Sequence, residues 1–176
     1  HEKISRKKHG VFSTPEPIVH FMVKATLAPA LKQHLSLLEG RAGILACPDR
    51  QECLPYSQCR QECRPRRLFD FKLIDPAMGC GYFLLEAAEF LAREFAAFLT
   101  RIGTPMPLPK IRRRVLERCI YGIELDPLSA ELAALILSAG SPSPSLLRNL
   151  RCGDALLGAT FTQLKNAAGG HGFDAV

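Results

Sequence analysis

Three acidic residues stand where short apolar runs give way to turns: Asp75 after Leu73-Ile74, Glu124 after Tyr121-Gly122-Ile123, and Asp154 after Leu150-Arg151-Cys152-Gly153. In a chain that alternates strands and helices, parallel neighbouring strands bring such tips together along one edge of the sheet. Asp75 precedes Pro76-Ala77-Met78-Gly79-Cys80-Gly81, whose glycines let the backbone approach a ligand closely. Its carboxylate suits an ammonium group, directly or through water. Glu124 suits a bidentate grip on two vicinal ribose hydroxyls, and Asp154 can accept a hydrogen bond from the exocyclic amine of an adenine. The same residues also have a purely structural reading, as caps of the helices that follow each strand. Asp126 has the stronger claim to that role, because it directly precedes Pro127 at a helix start.

An acidic pocket of this kind fits a cationic, amine-bearing adenosine cofactor, and S-adenosylmethionine has that character. A pyrophosphate needs helix N-termini and few nearby carboxylates. A nicotinamide-dependent oxidoreductase is disfavoured further, because Gly79-Cys80-Gly81 is followed by Leu84 and the G-x-G-x-x-G form is missing.

The elements that must hold these residues follow from punctuation and period. Thr14-Pro15-Glu16-Pro17 reads as a helix start with Thr14 as cap. Ile18, Val19, Phe21, Met22, Leu27, Leu31, Leu35 and Leu38 recur at helical spacing, and Pro29 predicts a break into two pieces. Residues 69–75 form the first predicted strand. A helix over 82–100 follows, with Phe83, Leu84, Ala87, Ala88, Leu91, Phe95 and Phe98 on its apolar face. A basic helix near 111–117, a strand at 119–124, a helix over 127–138, a loop at 141–145 and a strand at 150–152 complete the series. Residues 173–176 read as the start of a fourth strand. This alternation predicts an open parallel sheet covered on both faces.

The chain divides into an N-terminal helical segment (1–40), a Cys/Pro-rich insertion (41–67) and an α/β domain (68–176). The insertion carries Cys47, Cys53, Cys59 and Cys63, the chain's zinc candidates. Their C-x5-C-x5-C-x3-C spacing lacks a C-x2-C knuckle, so a reduced insertion without metal is the preferred reading. Seven cysteines in a chain with no secretory signal argue against a disulfide framework and for the cytoplasm. Cys80, Cys119 and Cys152 are read as small buried packing residues. No apolar run reaches membrane-span length. Of the 176 residues 47% are hydrophobic, which describes an ordinary globule able to bury a core. The net charge of +6 fits a polyanionic partner, with basic clusters at residues 6–9, 64–67 and 112–114. Each cluster taken alone also reads as a solvated surface patch.

At this point the residues carry a resemblance. KKHGVFSTPEPIVHFMV (7–23) resembles the N-terminal motif of the adenine-specific DNA methyltransferases of restriction-modification systems. DPAMGCG (75–81) resembles that family's D-P-A-C-G-S-G cofactor loop, YGIELDP (121–127) its ribose-binding strand end, and NLRCGDALLG (149–158) the segment whose aspartate meets the cofactor adenine. GFDAV (172–176) resembles the strand that leads to the catalytic tetrapeptide Asn-Pro-Pro-Tyr. The resemblance implies a Rossmann-like, S-adenosylmethionine-dependent methyltransferase sheet in three α/β/α layers, here stopping after the start of the fourth strand. It places Phe12 and Thr14 near the methionine end of the cofactor, with Asp75, Ala77 and Gly79 in the loop beneath it. Glu124 would hold the ribose, Leu125 would pack on the adenine, and Asp154 would bond its amine with Ala155 alongside. Met78 and Cys80 replace the usual cysteine and serine, and Tyr82 is bulkier than is usual at its position.

The implied activity is methylation of the exocyclic amine of adenine in double-stranded DNA, alongside a restriction or specificity subunit. The transfer itself would need the tetrapeptide, so no catalytic residue is assigned within these 176 positions. The unpaired fourth-strand edge predicts self-association. The competing reading is a non-catalytic split or decayed module that contributes DNA binding or a subunit contact.

Overall fold

The computed structural model describes residues 14–40, 67–138, 143–157, 162–164, 166, 168 and 172–176. Phe12 and the four zinc-candidate cysteines lie outside the described residues. The elements run α1 (Glu16–Gly40), β1 (Leu73–Asp75), α2 (Tyr82–Arg101), α3 (Leu108–Arg118), β2 (Ile120–Glu124), α4 (Pro127–Ser138), α5 (Pro144–Asn149) and β3 (Leu150–Cys152).

The three strands form a parallel sheet in the order β1-β2-β3. On the far side of β1 the chain returns, and Ala175 bridges Leu73 in parallel. Ile74 donates its N–H to the Ala175 carbonyl at 3.1 Å, and Asp174 donates to the Lys72 carbonyl at 2.8 Å. The expected fourth strand is therefore present as a single bridge beside β1. Successive strands step one way from β1 and the chain then returns to its other side, which makes the carboxyl end of β1 a topological switch point.

Side chains alternate across the sheet, as a period of two requires. Leu73, Ile120 and Leu150 face the main core, which they share with buried residues of all five helices. Ile74, Tyr121 and Ile123 face the other way, onto Leu164, Ala168 and Phe173. So the second face is covered, among the described residues, by Ala155, Leu164, Ala168 and Phe173 and by none of the five helices. The arrangement is α/β and compatible with a Rossmann-like fold.

Helix α1 is continuous through Pro29, against the predicted break. A proline inside a helix costs about 3 kcal/mol, chiefly by orphaning the carbonyl four residues earlier. Pro29 and Ala25 both lie on the exposed side, so water can satisfy that carbonyl, while Val19, Val23, Leu27, Leu31 and Leu38 stay buried opposite. Ile18, Phe21 and Met22, expected on the apolar face, point to solvent. Pro15, not Thr14, stands at the cap, where its carbonyl accepts the N–H groups of Ile18 and Val19 at 2.9 and 3.1 Å. Other expectations are shifted by a turn. The first strand is shorter than 69–75, because residues 67–70 form a helical turn, and part of the expected 141–145 loop belongs to α5.

One close approach sets the level of the turn after β1. A Cβ placed on Gly122, in the middle of β2, would lie 2.3 Å from the Met78 sulfur, 2.9 Å from Leu84 Cδ1 and 3.3 Å from Leu150 Cδ2. Met78 is buried and occupies the volume that a side chain at 122 would need. We expect Gly122→Ala to destabilise the fold by about 1–3 kcal/mol through overpacking, read from urea denaturation midpoints. Combined with Met78→Ala it should cost less than the sum of the two single changes. Strict additivity would mean that the two residues do not share that space.

Candidate functional site at the carboxyl edge of the sheet

The register fixes how the three acids sit. Asp75 pairs with Gly122 and Glu124 pairs with Cys152. Glu124 therefore lies two residues beyond Asp75 along the strand direction, and Asp154 two residues beyond Glu124's partner. At about 3.3 Å per residue the first step is about 6.6 Å, and Asp154 lies past the end of β3 in the turn that follows it. The acids do share one edge, as the sequence implies, but as a staircase rather than a cluster.

The glycine turn is bound to β2 at two points. Met78 donates its N–H to the Ile123 carbonyl at 3.0 Å. Gly79, at φ 54°, donates to Oε2 of Glu124 at 2.8 Å, and the other carboxylate oxygen accepts the Asp126 N–H at 3.0 Å. Within the turn, Asp75 Oδ1 accepts the Ala77 N–H at 3.0 Å, and Gly81 donates to the Met78 carbonyl at 2.8 Å. Gly81 (φ 81°) then opens α2, and a Cβ there would press on Ala133 Cβ at 3.1 Å. Only a glycine both adopts this backbone and lets α4 pack so near.

Burial pushes the Asp75 carboxyl above its ordinary value, the Ala77 N–H pulls it part of the way back, and the neighbouring Glu124 charge raises it again. The first two acids therefore feel one another across the strand gap. Asp154 uses Oδ1 to accept the N–H groups of Leu156 and Leu157 at 2.8 and 3.3 Å, the turn-forming role that its structural reading describes. That turn presents Leu156 and Leu157 to solvent at 94% and 80% exposure, with Leu125 at 68%. Ala155 packs instead against the Ile74–Tyr121–Ile123 face. Asp126 caps α4, its Oδ2 accepting from the Ser129 N–H and hydroxyl at 2.9 and 2.7 Å, as the sequence implies.

Helix α1 runs parallel to α2. His20 Nδ1 meets Glu86 Oε1 at 2.9 Å near their starts, and Glu39 meets Arg101 near their ends. Thr14, exposed just before α1, is therefore carried to the glycine-turn end of the molecule.

Among the described residues no group of three or more His, Cys, Asp or Glu side chains is placed to hold a metal ion. Cys119 is buried as expected, and burial pushes its thiol up to about 12. Cys152 is exposed, contrary to the packing role expected of it, with its sulfur 3.7 Å from the Leu125 carbonyl. No described helix is long and apolar enough to cross a membrane. Three arginines of the basic helix α3 have partners within the fold. Arg112 pairs with Glu89 at 2.6 Å, Arg113 pairs with Glu117 at 3.0 Å, and the Arg114 guanidinium lies 5.6 Å from the Phe69 ring centre.

Two open cavities lie away from the acids. One, about 930 Å³, lies at the opposite edge of the sheet among Lys72, Arg118, Arg148 and Asp174. The other, about 890 Å³, lies between α3, α4 and α5. The chemistry favours the carboxyl edge, where a positive-φ turn, main-chain donors and spaced carboxylates converge at the switch point. Sequence reasoning took Met78 only as a replacement in the loop and gave Gly122 no role, yet the two set the height of the turn; the bare glycine inside an apolar strand was the available signal.

No family model matches the chain, and no solved structure matches it significantly. The chain is similar to a protein of Methanocaldococcus jannaschii named "Putative type II restriction enzyme and methyltransferase", with 22% identity over 182 aligned positions. The alignment covers 91% of this chain and 15% of that protein's length. The likeness is thus a distant one, to a protein of the restriction-modification methyltransferase kind.

The raised Asp75 carboxyl has a measurable consequence. The folded protein holds a proton there that the unfolded chain has already lost, in the window from 3.8 up to the raised value. Stability therefore falls as pH rises through that window. Asp75→Asn keeps an oxygen for the Ala77 N–H but cannot ionise, so urea midpoints measured across the window should fall less steeply than in the wild type. An unchanged slope would mean that burial of this carboxyl has no effect on folding.

Proposed function

We propose that the carboxyl edge of the sheet binds S-adenosylmethionine, and that the chain is the cofactor-binding part of a DNA methyltransferase acting on the exocyclic amine of adenine. The observation that carries this reading is the Glu124 carboxylate at the tip of β2. Each of its oxygens already accepts one main-chain N–H, from Gly79 and from Asp126. A carboxylate has about four acceptor positions, so one on each oxygen remains for a pair of vicinal hydroxyls. Two fixed acceptors on one rigid carboxylate match a ribose.

The other residues follow outward from that point. Asp75, lower on the staircase and beside the turn, receives the ammonium end of the ligand. Ala77 and Gly79 form the floor, and Thr14 completes the methionine end from just before α1, with Phe12 assigned beside it by the resemblance alone. Leu125, exposed just beyond Glu124, covers one face of the adenine. Asp154, one step further along, accepts from the adenine amine through the oxygen that its turn leaves free, with Ala155 alongside. When bound, the cofactor supplies a methyl group activated by its sulfonium. The described residues orient it, and none of them is assigned to the transfer itself.

The similarity to a restriction-modification protein supports double-stranded DNA as substrate and a restriction or specificity component as partner. The α3 arginines are poor candidates for the DNA contact, because carboxylates and an aromatic ring already engage them.

Isothermal titration with S-adenosylhomocysteine tests the reading. Wild-type protein should bind in the micromolar range, and Glu124→Ala should weaken binding at least about tenfold, the factor that about 1.4 kcal/mol of lost hydrogen bonding gives. Equal affinity in the two proteins would remove Glu124 from the site.

A further inference from the structure

We propose that Glu124 is also a positioning residue that latches the glycine turn in place before any ligand arrives. This rests in part on the reading of the same carboxylate as the ribose acceptor. Two tethers join the turn to β2. The Met78 N–H to Ile123 carbonyl bond uses only main chain, so any residue at 123 would supply it. The Gly79 N–H has no such partner; its bond at 2.8 Å exists only because a side-chain acceptor stands at 124.

The second tether acts where the turn is least restrained. Gly79 sits at φ 54°, and a Cβ built there would meet nothing within 4 Å. With no side-chain packing and the widest backbone freedom of any residue type, this position gains most from being tied. The opposite oxygen of Glu124 is held by the Asp126 N–H at 3.0 Å, at the entrance to α4. The carboxylate is thus pinned from both sides and cannot swing toward a ligand without releasing one of them. A ligand must come to it and take up the remaining acceptor positions. Ribose occupancy and order in the turn are then properties of a single carboxylate, and the adenosine half of a ligand stiffens the turn through Glu124.

Amide hydrogen exchange followed by NMR on the ligand-free protein reads the latch directly. In Glu124→Ala, the Gly79 amide should exchange about tenfold faster, while core amides of α2 such as Leu91 keep their protection. Glu124→Gln offers one oxygen for two N–H groups, so either Gly79 or Asp126 should lose protection while the other retains it. If Glu124→Ala loses its core protection, the Gln variant decides alone. Unchanged Gly79 exchange in a folded Glu124→Ala, or protection kept at both Gly79 and Asp126 in Glu124→Gln, overturns the latch.

A second arm adds adenosine or 2′,3′-dideoxyadenosine to the wild type, with binding of each followed by separate titration. Adenosine should slow Gly79 exchange further and the dideoxy compound should not. If adenosine binds and Gly79 exchange stays the same, the proposed coupling is wrong although the ribose site stands. If adenosine fails to bind while the variants still open the turn, the latch stands and the ribose reading falls.

Discussion

The carboxyl edge depends on how closely the turn after β1 can lie against β2. That distance is set by an absence. Gly122 has no side chain, so the Met78 thioether fills the space over the strand and is buried there. With Met78 seated, its N–H reaches the Ile123 carbonyl, and the next N–H, of Gly79, reaches Glu124. A larger residue at 122 would lift the turn and break this sequence of contacts at its first member. The arrangement of acids, main-chain donors and exposed leucines is built on that one close approach.

The strand and helix ends nearest the site were legible because apolar runs there meet unambiguous punctuation. Gly81 before Tyr82, Asp126-Pro127, and Gly153-Asp154 each coincide with an observed boundary. The parallel sense of the sheet also follows from alternation of strand and helix, whereas the strand order and the return of the chain beside β1 are seen only in the structure. Less legible were the features that depend on which way a side chain faces. Pro29 reads as a breaker because sequence alone cannot show that the orphaned carbonyl faces water. Ile18, Phe21 and Met22 share the helical period of Val19 and Val23, yet they lie outside the stripe that the core accepts.

Register was invisible in the same way. Three acids at three strand ends look equivalent in sequence, but pairing of Asp75 with Gly122 and of Glu124 with Cys152 separates them into steps. The steps give each acid a different environment. Asp75 is partly buried beside another carboxylate, Glu124 is held by two main-chain donors, and Asp154 closes its own turn. An elongated ligand with an amine at one end and a base at the other matches such a graded row. The excess of positive charge, so prominent in composition, has less influence at the described surface, because much of α3 is paired within the fold.

The proposed site is this staircase of acids, read as a binding site with a defined polarity. A crystal structure with S-adenosylhomocysteine tests it most directly. Ribose hydroxyls are expected on Glu124, the amino-acid end over Asp75 and the glycine turn, and the adenine beside Leu125 and Asp154. A ligand seated instead in the cavity at the opposite edge, among Lys72, Arg118 and Arg148, would contradict it.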